Sequence, residues 1–145
     1  MKNILLTIKD YETTSISSPI VEMTAELAGY CSGKVYLLHV TPPPRDAPFN
    51  IDSEMFRREI ANELRHEHKS LQDLAKCMRD KGIDTTAMLV QGSIVSTILH
   101  ESRRLSIDLL ILGRHKHGPL YSILMDDTDE GLLAKSDCPV MFIPI

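Results

Sequence analysis

From Ile107 to Pro144 the chain reads IDLLILGRHKHGPLYSILMDDTDEGLLAKSDCPVMFIP. Asp108 to Leu112 is apolar through its centre, so it reads as a buried strand that stops at Gly113. A Gly/His/Lys-rich loop follows. A helix is expected near Asp127 to Lys135, and a second buried strand over Val140 to Ile143. Nucleotide-binding α/β proteins hold phosphate with this arrangement, a strand, a glycine-bearing loop and a helix N-terminus whose N–H groups are free. Here the helix is expected to open with two acids, Asp126 and Asp127. The segment points to a ligand crevice and at the same time opposes an anion in it.

Upstream, the same alternation repeats. Ile4 to Ile8 is a short apolar run with the marks of a first strand. Ile16, Ile20, Met23 and Leu27 recur at helical spacing, and Pro19 is compatible only with the first helical turn, so that helix starts between Ser15 and Ser18. Gly29 to Gly33 ends it. Val35 to Val40 is the second strand, and the prolines at 42–44 start a loop that reaches about Ser53. A long helix runs from about Ser53 to Lys81, with Ile60, Leu64, Leu71, Leu74 and Met78 on its buried side and Gly82 as its stop. Thr85 to Val90 is the third strand. Ser93 is placed to cap a helix carrying Ile94, Ile98, Ser102 and Leu105.

Strands and helices alternate from end to end. That pattern implies an α/β fold, a single doubly wound, Rossmann-like domain over 1–145 with a parallel sheet and helices on both faces. The strands are continuously apolar rather than alternating, as burial on both faces requires.

The totals exclude several classes. The 145 residues suffice for one ordinary core, and 43% hydrophobic with 25% charged residues is the balance of a globular domain. The net charge of -4 argues against a surface that tracks nucleic-acid phosphates. No apolar run approaches the roughly 20 residues of a membrane span. The opening MKNILLTIKD reaches Lys9 and Asp10 too soon for a signal sequence, so it reads as the first strand, and the expected location is cytoplasmic. Cys31, Cys77 and Cys138 are odd in number and widely spaced, which implies reduced thiols rather than a disulfide or zinc framework.

Ligands of such sheets bind beyond the carboxyl ends of the strands, where the strand order reverses. The exits are Lys9-Asp10, His39-Val40-Thr41, Val90-Gln91-Gly92 and Gly113-Arg114-His115. Gly92 and Gly113 are each read as directly following a strand. Glycine there permits a sharp turn and a close ligand approach, and equally serves a plain strand-to-helix turn.

At these positions the chain resembles the universal stress proteins. ILLTIKD, VYLLHV, VQG, DLLILGRHKHG and CPVMFIP carry the resemblance, which spans nearly the whole length. It implies a five-stranded parallel sheet in the order 3-2-1-4-5 and a homodimer paired through the C-terminal strand. Many members bind ATP and a distinct group does not. The ATP-binding pattern of the family is Gly-x-x-Gly, nine residues, then Gly followed by Ser or Thr. Gly113 matches its first position. Lys116, Asp126 and Asp127 replace the other three, and Gly118 lies two residues late. The family's Val-x-Gly matches Val90-Gln91-Gly92. The acid that ends the first strand in ATP-binding members falls on Lys9, with Asp10 one place later.

The substitutions have an electrostatic consequence. A carboxylate about 4 Å from a phosphate costs on the order of 4 kcal/mol per charge pair at an effective dielectric near 20. That is about three decades of affinity. Asp126 or Asp127 is also expected to cap the final helix and satisfy its dipole internally.

The expectation is therefore a non-enzymatic, dimeric universal stress protein, acting in stress response or signalling through protein partners, with no catalytic residues and a degraded nucleotide site. Its remnants are Asp10, Val90, Gly92, Gly113, His115, Lys116 and Gly118. The alternative is an adenine-nucleotide (ATP or AMP) binding member using a shifted Gly113–Gly118 loop. A third reading is a metal-linked sensor through His39, His115 and His117. His66-Glu67-His68 and the Arg57-Arg58 and Arg103-Arg104 pairs read as solvated surface charge. Cys138 reads as a small buried side chain.

Overall fold

The computed structural model describes residues 1–8, 17–41, 43, 52–114 and 131–144 of the 145. Five strands form one sheet: β1 (Asn3–Thr7), β2 (Lys34–Thr41), β3 (Thr85–Gln91), β4 (Leu109–Arg114) and β5 (Val140–Pro144). Among the described residues four helices accompany them: α1 (Pro19–Cys31), α2 (Ser53–Asp80), α3 (Ile94–Arg104) and α4 (Leu132–Lys135). Every strand pair is parallel and the order is β3-β2-β1-β4-β5. The expected doubly wound α/β fold and its 3-2-1-4-5 order are present. The order reverses between β1 and β4, and in sheets of this kind the carboxyl ends at such a reversal are where ligands bind.

The core lies on both faces of the sheet. On one face Ile4, Leu6, Val35, Leu37, Leu109 and Ile111 pack under α1 and α2. On the other, Leu5, Leu38, Leu110 and Leu112 pack under α3 and α4. Burial of alternate residues on opposite faces explains why the strands read as unbroken apolar runs.

The start of β1 is tied to the turn before β4. The Asp108 carboxylate accepts the backbone N–H groups of Lys2 and Asn3, at 2.8 and 2.9 Å. The Asn3 side chain donates back to Leu105 O at 3.1 Å. Those two backbone donors, Lys2 first, hold the Asp108 carboxyl below its ordinary value.

Two helices turn a different face inward than expected. α1 buries Ile20, Val21, Thr24 and Ala28, while Met23 is exposed and Leu27 only partly covered. Small residues bring the helix close to the sheet, and Thr24 is admitted because its hydroxyl donates to Ile20 O at 2.7 Å. α3 buries Thr97, Ile98, Leu99 and Glu101, leaving Ile94 exposed. Glu101 tolerates burial because Arg104 lies 2.6 Å from its carboxylate. Ser93 stands at the N-cap of α3 but its side chain makes no capping bond.

α2 is longer than the sheet it covers. Its 28 residues span about 42 Å at 1.5 Å per residue. The 7 residues of β3 span about 23 Å. Leu71, Leu74, Ala75 and Met78 pack on the sheet, and the earlier half runs on past the strand ends. Asp52 caps its start, accepting from Glu54 N at 2.9 Å.

Candidate functional site

The strand exits that line the crevice are Ile8, Thr41, Gln91-Gly92 and Gly113-Arg114. β2 and β3 are locked together at theirs, where Gly92 N donates to Thr41 O at 3.0 Å. Gly92 has φ +156°, and a Cβ added to it would meet Thr97 Oγ1 at 2.6 Å. The glycine therefore lets the first turn of α3 sit against the end of β3. Its described contacts are those of a turn.

Gly113 behaves otherwise than expected. It lies inside β4, opposite Ile143 of β5, and is not among the described glycines with positive φ. The strand continues through it to Arg114. Val90 pairs with Val40 in register, and both are half-buried against the α3 face. Together they offer a flat apolar wall beside the crevice. Asp10, His115, Lys116 and Gly118 fall outside the described residues, as do Lys9, His117, Asp126 and Asp127.

The helix that leads into β5 starts later than expected. α4 is Leu132–Lys135, a single turn, with Gly131 as N-cap in an extended conformation. Asp126 and Asp127, expected to open the final helix, lie outside the described residues.

The other polar cluster at this end of the sheet surrounds His39. Its Nδ1 lies 2.7 Å from Ile8 O, and its Nε2 lies 3.6 Å from Glu67 Oε2 on α2. The side chains are 11% and 20% exposed. A separation of 3.6 Å is an ion-pair distance but too long for a hydrogen bond, and Glu67 Oε2 receives none although it is buried. Thr41 Oγ1, two residues on along the same strand face, is also buried without a hydrogen-bond partner.

Glu67 is therefore not part of a solvated helix face. His66 and His68 on either side of it are exposed, and Glu67 alone turns inward. A signal for this was present in the spacing. Ile60, Leu64, Leu71, Leu74 and Met78 define a stripe, and Glu67 falls on it, three residues after Leu64 and four before Leu71. Of the three histidines of the metal reading, His39 is described, and His115 and His117 lie outside the described residues. Among the described residues no group of three or more His, Cys, Asp or Glu is placed to hold a metal ion.

A second concavity lies at the opposite end of the strands. It has a volume of about 160 Å³ and is lined by Leu99, Ser102, Ile107 and Cys138 among others. Cys138 is half-buried there, its Sγ 3.7 Å from Ser136 Oγ. Arg103 and Asp137 pair at 2.7 Å beside it. The Arg103-Arg104 pair is exposed as expected, but both members are engaged by acids.

A five-stranded parallel sheet whose order reverses between β1 and β4, with helices on both faces, defines a doubly wound α/β protein. The universal stress protein family model matches residues 1–144, and the chain belongs to that family. Universal stress protein MJ0577 of Methanocaldococcus jannaschii is 28% identical over 98 residues, which cover 67% of this chain and 60% of that protein. The matched stretch thus spans under two thirds of the relative. In structure, MJ0577 superposes with a TM-score of 0.64 at 25% identity, over 99% of this chain and 96% of that one. A universal stress protein family member from Burkholderia pseudomallei gives 0.69 at 19% identity, over 99% and 96%. An Arabidopsis thaliana family member with AMP bound gives 0.59 at 18%, over 99% and 91%. Among the described residues no helix is long and apolar enough to cross a membrane.

Proposed function

We propose that this universal stress protein is a non-enzymatic, dimeric cytoplasmic module that acts in stress response or signalling through protein partners, and that its crevice does not retain a triphosphate. The observation that carries this reading is the sequence of the segment between β4 and α4. The family pattern puts its last glycine and hydroxyl residue at 126 and 127, where this chain has two aspartates. The helix leading into β5 is one turn long and opens at Leu132 behind Gly131. Lys116 in place of the second glycine removes another position of the loop.

Pairing of copies through β5 is part of this proposal. β5 is an edge strand, and Val140, Met141 and Phe142 are half-buried and apolar. An edge of that composition is an aggregation hazard until another strand covers it.

A second reading is favoured by one observation. The Val40–Val90 wall fits a flat apolar ring such as adenine, and one structural neighbour carries AMP. In this reading the base and ribose lie near Val90 and Gly92, and the phosphate falls to the segment 115–130. Calorimetry with Mg-ATP, ATP, AMP and cyclic AMP separates the two. Micromolar ATP binding overturns the first reading, AMP binding alone supports the second, and absence of both supports the first.

A further inference from the structure

We propose that the concavity at the amino ends of the strands is a binding site for a small zwitterion, an α-amino acid with a short aliphatic side chain. It lies at the opposite end of the sheet from the crevice, so the inference stands whether or not the crevice takes a nucleotide. The last turn of α3, the turn into β4 and the loop into β5 meet there. Together they supply an apolar floor and a charged rim.

The floor sets the size and the apolar part of the ligand. It is made by Leu99 and Ile107, both buried, with the half-buried Cys138 as a wall. The volume of about 160 Å³ falls below the roughly 300–1,000 Å³ of sites for drug-sized ligands. The ligand is therefore on the scale of one amino acid. A branched aliphatic side chain gains by leaving water for this floor.

The rim decides the charge. Arg103 Nε donates to Asp137 Oδ2 at 2.7 Å, and its Nη2 donates to Lys135 O at 3.4 Å. A guanidinium has about five N–H donors, so some remain for a ligand. Asp137 is engaged through Oδ2, which leaves Oδ1 as an acceptor. The two charges cancel, so a net anion is opposed by Asp137 and a net cation by Arg103. A molecule carrying both signs meets each with its opposite. Its carboxylate accepts from Arg103 while its ammonium donates to Asp137 Oδ1, and the Arg103–Asp137 pair stays intact. Ser102 adds to the same preference. Its hydroxyl donates to Ile98 O at 2.7 Å, so its oxygen can only accept from a molecule in the cavity. That suits an ammonium and not a carboxylate.

Titration of methyl-labelled protein with L-leucine tests this, because Leu99 and Ile107 report from the floor. Their methyl signals are expected to shift and to saturate at roughly millimolar leucine. Isocaproate, which is leucine without its ammonium, and isoamylamine, which is leucine without its carboxylate, are expected to bind at least about tenfold more weakly. Asp137→Asn and Arg103→Gln alter an exposed pair that contributes little to folding. Each is expected to weaken leucine about tenfold, the first to the level of isocaproate and the second to the level of isoamylamine. Absence of a saturable shift with leucine, isocaproate or isoamylamine binding to the wild type as tightly as leucine, or unchanged leucine affinity in either variant overturns the proposal.

Discussion

Gly92 N donates to Thr41 O at 3.0 Å while its missing Cβ leaves room for Thr97 Oγ1. One glycine thus joins β2, β3 and α3 at the rim of the crevice. Gly92→Ala has to move the α3 turn or the strand end, and it adds backbone strain at φ +156°. It is expected to cost about 1–3 kcal/mol in urea denaturation. Adding Thr97→Ala removes the clash and should recover part of the loss; equal stability of Gly92→Ala and the wild type would contradict the packing account.

Asp108 couples stability to acid. Its carboxyl is held below the ordinary 3.8 by the Lys2 and Asn3 N–H groups. A lowered folded-state value means that the group stabilises the fold above its unfolded value and that this is lost as pH falls through the lowered one. The urea midpoint of the wild type should therefore drop more than that of Asp108→Asn on going from about pH 5 to pH 2. Parallel curves would show that the two hydrogen bonds do not discriminate between charge states.

Leu6 is fully buried between the sheet and the α1/α2 layer, on the central strand. Leu6→Ala is expected to cost about 2–5 kcal/mol by transfer and cavity terms. Met23→Ala on α1, despite its place in the helical spacing, should cost far less, because Met23 is 45% exposed. A thermal or urea comparison of the two checks the helix face directly.

The crevice can be interrogated by restoring the family pattern. Lys116→Gly with Asp126→Gly and Asp127→Ser should raise ATP affinity in calorimetry by about tenfold or more, up to the roughly three decades that charge repulsion allows. No gain would mean that the aspartates are not the obstacle.

The dimer proposal places Phe142 of β5 at the pairing edge. Phe142→Lys should convert the dimer to monomer in size-exclusion with light scattering at micromolar concentration. A wild-type monomer, or a variant that stays dimeric, would remove β5 as the interface.

The alternation of apolar runs and helical periods in this chain was enough to place all five strands and the α/β class. Those signals are local, and two-sided burial writes them directly into composition. The sites were less legible where a side chain's partner is remote in sequence. Met23 looked buried by period, but Val21, Thr24 and Ala28 are the residues small or satisfied enough to approach the sheet. Gly113 looked like a turn and is a strand residue, because its pairing with Ile143 extends β4.

By itself the sequence determined the fold class and the family, since each rests on short-range periodicity and a run of motifs. The helical stripe puts Glu67 on the inward side of α2, but only the tertiary structure decided that it meets His39, which spans β1 and α2. Those facts depend on two strands and a helix converging on one ring, and residues 8, 39 and 67 carry no mark of that meeting in their neighbours along the chain.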